Sequence, residues 1–191
     1  MPTRSRSNTK RPARRPRTAN SRAKPQETLS DLLLTKVRAL YDVETQLVKA
    51  LPKMAKAATD PEGRQGFERH ARQTEEHVRR LERVFQALGG RMQKLQCDAI
   101  RGLVADGEWV IRNVNAPAAR DASLIAAAQV VEHYEMASYR SAIEWAKLLG
   151  KDEVADLLQE TFDEERETSE ALEELARSGV DERAASGPQP Q

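Results

Sequence analysis

The stretch Ala126-Ala127-Ala128-Gln129-Val130-Val131-Glu132-His133-Tyr134-Glu135, followed by Ala137-Ser138-Tyr139, decides how this chain is read. Counting outward in helical steps of three and four puts Ile125, Ala128, Glu132, Glu135, Tyr139, Ala142, Ala146 and Leu149 on one face. That face is apolar at both ends and acidic in the middle. Its two glutamates lie three residues apart and are therefore neighbours. An ionised carboxylate in a core costs several kcal/mol even after relaxation, and two together also repel. A helix built this way needs something to neutralise its acids. The pattern predicts that it starts near Asp121 and stops at Gly150.

Three more long helices carry faces of the same kind. The first is expected from about Leu29 to Ala58, started by Thr28 with Asp31. Leu33, Val37, Leu40, Glu44, Leu47, Leu51, Met54 and Ala58 fall in line on it, with a kink at Pro52. The second opens with Asp60 as N-cap and Pro61 in its first turn, and stops at Gly89-Gly90 after about Leu88. Its face reads Phe67, His70, Thr74, His77, Leu81, Val84, Leu88. The last runs from Asp152 to Ala176, with Val154, Leu158, Thr161, Glu165, Thr168, Leu172 and Leu175 in line. A shorter helix covers Cys97 to Val114, ended by Asn115 and Pro117.

Short links make the first two long helices, and the last two, antiparallel pairs, and the long stretch between the pairs serves as a crossover. A four-helix bundle with one long crossover is the ferritin-like arrangement. The predicted fold is therefore all-α: a ferritin-like four-helix bundle over residues 27–177, with a short extra helix in its crossover. Residues 1–26 read as a basic, disordered arm and 178–191 as a disordered tail.

Composition agrees. Aromatic residues are 4% and charged residues 32% of the 191, a balance that suits long helices better than a sandwich or barrel. The net charge of +1 hides an asymmetry. Arg4, Arg6, Lys10, Arg11, Arg14, Arg15, Arg17, Arg22 and Lys24 lie in the first 25 residues, which contain no acid. Of the 31 basic residues these nine leave 22, against all 30 acidic ones, so the body is acidic. The one cysteine, Cys97, permits no internal disulfide and reads as a small buried residue. No apolar run is long enough to span a bilayer, and no secretory signal is visible, so a membrane partner is not expected and a cytoplasmic location is.

Each long helix interrupts its apolar face near the middle: Glu44 on the first, His70 and His77 on the second with Gln73 beside them, Glu132 and Glu135 on the third, and Glu165 on the fourth, or Glu164 if that face rotates slightly. Two metal ions bridged by carboxylates would neutralise such a cluster, and di-metal bundle proteins draw ligands from all four helices. Oxygen donors with a few imidazoles suit iron or manganese. The alternative is that some of these faces are exposed or covered by a second copy. Tyr41 lies one turn before Glu44 and Tyr139 one turn after Glu135. They are candidates to bond ligands or react with an oxidant, or else plain core aromatics.

These residues resemble a known family. Tyr41-Asp42-Val43-Glu44-Thr45-Gln46-Leu47 and the Glu132-His133-Tyr134-Glu135 stretch are similar to motifs of the YciE/YciF family of bacterial ferritin-like stress proteins, as are Leu81–Phe85 and Cys97–Leu103. The resemblance covers about residues 27–177 and leaves out the arm. It implies a dimeric ferritin-like bundle with a di-iron centre related to that of rubrerythrins. In that likeness Glu132 and Glu135 resemble the paired glutamates of the third helix, Glu44 the lone ligand of the first, and Glu165 the first ligand of the fourth. Two positions depart from the pattern. Gln73 stands where the family usually shows Glu before His77, and Thr168 rather than His follows Glu165. An asymmetric site, a one-metal site and a degenerate site all stay open.

Two functions follow as expectations. One is a di-iron or di-manganese oxidoreductase that reacts with peroxide or oxygen and Fe(II), with Glu132 or Glu135 bridging, Glu44 and Glu165 terminal, and His70 or His77 supplying nitrogen. The other is a non-enzymatic, nucleoid-associated stress protein whose arm binds DNA without sequence preference by releasing phosphate counterions. The arm also reads as a solubilising tail; its prolines and lack of apolar residues speak against the amphipathic helix of an organelle transit segment.

Overall fold

The computed structural model describes residues 28–90 and 92–187. Five long helices order the described residues: α1 Leu29–Ala57, α2 Pro61–Ala87, α3 Asp98–Asn113, α4 Pro117–Leu148 and α5 Asp152–Leu175. The four longest close a ring in which α1 packs on α2, α2 on α5, α5 on α4 and α4 back on α1. α3 lies in the crossover and packs against α4 and α1. This is the ferritin-like four-helix bundle expected from the spacing, and among the described residues there is no strand.

The helix starts follow local chemistry. The Thr28 hydroxyl accepts the Asp31 amide while the Asp31 carboxylate accepts the Thr28 amide, a reciprocal cap. The Asp60 carboxylate accepts the Gly63 amide at 2.9 Å, with Pro61 in the first helical position where its missing N–H costs nothing. α1 continues through Pro52, which is exposed, to Ala57. α4 begins four residues earlier than expected. Pro117, read from the sequence as a stop for α3, instead occupies the first turn of α4. Beyond α5 the stretch expected to be tail carries structure as far as residue 187: Gly179 at φ 120° turns the chain, Val180 is buried, and a short helix, α6, covers Asp181–Ala185. The expected arm, 1–26, lies outside the described residues.

The core comes in two halves. At one end Leu33, Val37, Leu40, Leu81, Val84, Phe85, Ala142, Ile143 and Leu158 pack together. At the other end Leu47, Leu51, Phe67, Ile100, Leu124, Ile125 and Leu172 do so. Between them lies a layer to which every long helix contributes buried polar residues: Glu44, His70, Thr74, His77, Glu132, Glu135, Thr161 and Glu165. The bundle places this layer at mid-height because each helix breaks its apolar face at mid-length.

Candidate metal centre

Glu44, Glu135, Glu165 and His77 are wholly screened from solvent, and Glu132 and His70 nearly so. They gather into two groups. His70, Glu132, Glu135 and Glu165 can each aim one donor atom to lie within 4.8 Å of the others, and so can Glu44, His77 and Glu165. Glu165 belongs to both. The His70 Nε2 stands 3.3 Å from Glu132 Oε1 and 3.6 Å from Glu165 Oε2. The His77 Nδ1 stands 2.9 Å from Glu165 Oε1 and 3.5 Å from Glu44 Oε2. The sequence had made Glu132 or Glu135 the shared carboxylate and Glu165 a terminal one; the grouping gives the shared position to Glu165.

Apart from the ion-pair contacts within the cluster itself, most of these donor atoms go unpaired. Glu44 Oε2, His77 Nδ1, Glu132 Oε2 and both carboxyl oxygens of Glu135 and Glu165 are buried without a hydrogen bond. Buried polar groups are nearly always satisfied, so this concentration in one layer marks a place built for something else. Four carboxylates and two imidazoles are the donor set that a pair of hard or borderline cations requires. The residues present therefore fit metal binding, and this buried His/Glu cluster could hold a metal ion.

Without a cation the cluster manages its charge with protons. Burial pushes the Glu132 carboxyl up to about 7 and the Glu165 carboxyl up to about 8, each further raised by a neighbouring carboxylate. Burial and then the charges of Glu165, Glu44 and Glu132 hold Glu135 well above the usual carboxylate range. Burial opposes the His77 imidazolium, but Glu44, Glu164 and Glu165 around it outweigh that and push it up to about 12. The cluster without metal thus holds the His77 imidazolium beside partly neutralised acids.

Three further residues finish the layer. The Tyr139 hydroxyl, fully buried, donates a short hydrogen bond to Glu44 Oε1. The Glu164 carboxylate, on the outer side of α5, pairs with His77 Nε2 at 2.8 Å. The buried Arg80 guanidinium donates to that same carboxylate at 2.7 Å, to Glu160 at 2.9 Å and to the Thr161 hydroxyl at 2.8 Å. Together Arg80 and His77 hold Glu164 down to about 2, the His77 hydrogen bond being the larger influence. A carboxylate on the far nitrogen of a histidine fixes which nitrogen faces the centre.

Of the residues singled out from sequence, the structure brings together Glu44, His70, His77, Glu132, Glu135, Glu165 and Tyr139. Tyr41 is not among them: its hydroxyl donates to Glu82 at 3.3 Å and its ring stands edge-on to Phe85, on the outward side of α1. Gln73 is half-buried beside His70 and Glu132, lining a cavity. The position in line between the two histidines belongs to Thr74, wholly buried, whose hydroxyl donates to the His70 carbonyl. Thr168 lies 3.4 Å from His70 Nδ1. The sequence reading had Glu164 only as an alternative to Glu165 and missed Arg80; the structure uses both glutamates. The nine basic arm residues lie outside the described residues. Among the described residues no helix is long and apolar enough to cross a membrane.

Comparison with known proteins places this arrangement. Residues 28–185 match a family described as a domain of unknown function, DUF892. Protein YciF of Escherichia coli is 35% identical over 159 residues, which is 83% of this chain and 96% of that protein. The crystal structure of that stress protein superposes with a TM-score of 0.79, covering 82% of this chain and 99% of the other. YcfI from Rhodopseudomonas palustris is 37% identical and superposes with a TM-score of 0.75, covering 77% of this chain and 94% of the other. A protein from Xanthomonas campestris, 20% identical over 83% of this chain and 99% of its own, shares the fold with a TM-score of 0.63. By the match along nearly its whole bundle, and by the motifs around Glu44 and Glu132, this chain belongs to the DUF892 family, the family of YciF.

Proposed function

We propose that the chain is a ferritin-like stress-response protein whose buried layer binds two iron or manganese ions and consumes peroxide or oxygen while oxidising Fe(II). The observation that carries this reading is the sharing of Glu165 between two donor groups in which Glu44 Oε2, Glu132 Oε2 and both oxygens of Glu135 make no hydrogen bond. His70, Glu132 and Glu135 would hold one ion, His77 and Glu44 the other, and Glu165 would bridge them. Bound there, a redox-active metal pair supplies two electrons at one place, enough to reduce hydrogen peroxide to two waters as two protons are taken up.

The protein's own residues would do the rest. Glu164 and Arg80 hold the His77 ring so that Nδ1 faces the layer. The Tyr139 hydroxyl fixes one oxygen of Glu44 and leaves the other for a ligand bond. The two apolar halves of the core cover the layer above and below. The test is direct: Glu132→Ala with Glu135→Ala should abolish metal-dependent peroxide loss, and turnover equal to that of the parent protein would sink the assignment.

A second reading, DNA binding, rests on charge alone: nine cations and no acid in the first 25 residues, attached to an acidic body. Phosphate neutralisation by such an arm is steeply salt-dependent. Deleting residues 1–25 should remove DNA retardation in a gel shift at low salt while the helical circular dichroism persists. Retardation that survives the deletion would reject this reading.

A further inference from the structure

A cavity of about 210 Å³ opens between α2 and α5 and reaches inward to His70 and Glu132. Its mouth is polar, with Glu62, Arg69 and Glu167 exposed around it. Its walls are buried and apolar: Leu51, Phe67, Ala128, Leu172 and Leu175. Its inner end carries an imidazole and a carboxylate of the layer. A cavity of about 150 Å³ with aliphatic and aromatic walls holds a benzene molecule, whereas a water takes up about 30 Å³ in the liquid. Hydrogen peroxide, made of two oxygens, would leave most of this space and all of its apolar wall unused. The shape and chemistry suit a ring-sized apolar body with one polar end.

We propose that this cavity binds a small organic hydroperoxide, its hydrocarbon part against Phe67 and Leu172 and its O–O end toward His70 and Glu132. The chemistry rests on the metal-dependent peroxide consumption proposed above; the binding does not. In the reaction the O–O bond breaks, two Fe(II) supply two electrons and solvent two protons. The alkoxy oxygen leaves as the alcohol, the other as water, and two Fe(III) remain.

Gly66, in the wall, offers a way to close the cavity. A Cβ there would meet only the Arg69 guanidinium, at 3.9 Å, so the backbone leaves room for a side chain at the cavity wall. Ala171, exposed and lining the cavity from α5, offers a second place for a plug. The full chain, stripped of metal, is titrated with 2-phenyl-2-propanol, the alcohol derived from cumene hydroperoxide, and binding is followed by calorimetry and amide NMR shifts. Saturable binding is expected, with shifts centred on α2 and α5, weakened about tenfold or more by Gly66→Leu and by Ala171→Phe. In iron-loaded protein the same variants should lower the ratio of cumene hydroperoxide to hydrogen peroxide consumption by about tenfold. No saturable binding by the parent protein, equal binding by both variants, or an unchanged ratio would each overturn the proposal. If the protein takes up no metal, the function proposed above fails while the metal-free titration still decides the cavity.

Discussion

Glu165 is the side chain on which the two donor groups meet, and that position separates it from its neighbours. Glu165→Ala is expected to drop metal content from about two ions per chain to below one, whereas Glu44→Ala should strip only the His77 side and leave about one. Plasma mass spectrometry after anaerobic Fe(II) or Mn(II) loading reads the difference, and equal losses would show that Glu165 is not shared. Tyr139→Phe keeps the ring and removes the donor to Glu44, leaving a buried carboxylate oxygen unsatisfied. The metal-free variant should lose about 1–3 kcal/mol in urea unfolding. A midpoint identical to the parent's would show that the short bond contributes nothing. Why the six ligand candidates could be read from sequence is plain at this scale. Each replaces an apolar residue at a helical step, so each stands out against its own stripe. Gln73 and Tyr41 flank their stripes, and spacing alone does not say which flank turns inward: Gln73 lies beside His70 and Glu132, whereas the Tyr41 hydroxyl bonds Glu82. Arg80 was invisible for the opposite reason: an arginine next to Arg79 in a charge-rich helix reads as solvated until a carboxylate from α5 is seen to cover it.

Among the elements, one side chain of α4 ties that helix to the link between α1 and α2. The Asp121 carboxylate, in the second turn of α4 and buried, accepts the Thr59 amide at 2.8 Å, the Asp60 amide at 2.9 Å and the Thr59 hydroxyl. Asp121→Ala would leave two amides of the α1–α2 link without their acceptor, and should cost about 3 kcal/mol. Thr28→Ala removes an exposed cap at the other end of α1 and should cost about 1 kcal/mol. Denaturant midpoints of the two variants test the ranking, and a smaller loss for Asp121→Ala would mean that water replaces the carboxylate. The same elements show what sequence chemistry conveys. The starts of α1 and α2 were legible because their caps are local, a side chain bonding an amide three residues on. The start of α4 was not, because Pro117 is equally suited to end one helix and to begin the next, and only packing against the bundle chooses. α6 was missed because five residues give no period, and its position depends on Gly179 and the burial of Val180 rather than on its own sequence.

At the scale of the molecule, a polar layer between two apolar halves makes stability depend on pH in opposite ways with and without metal. Consider the metal-free protein. Glu132 and Glu165, pushed up to about 7 and about 8, keep protons that the unfolded chain releases in the ordinary carboxylate range. Wherever the folded state binds more protons, stability falls as pH rises. These two acids therefore erode stability from about pH 4.5 up to about pH 8. His77 acts in the same direction: pushed up to about 12, its contribution is complete below the ordinary histidine value and is lost as pH climbs toward 12. Glu164, held down to about 2, works the other way, but only in acid, losing its contribution as pH falls below the carboxylate range. The metal-free bundle should thus melt highest near pH 5 and lower at pH 8. A metal ion competes with the protons on Glu132, Glu135 and Glu165, so its binding releases them and strengthens as pH rises. The rise in melting temperature on adding Mn(II) should accordingly grow from pH 5 to pH 8, just where the metal-free protein weakens. Calorimetric melts of the full chain at the two pH values, with chelator and with Mn(II), measure both trends. A metal-free protein that becomes more stable toward pH 8, or a Mn(II) increment that does not change with pH, would mean that these acids neither hold the protons nor bind the metal.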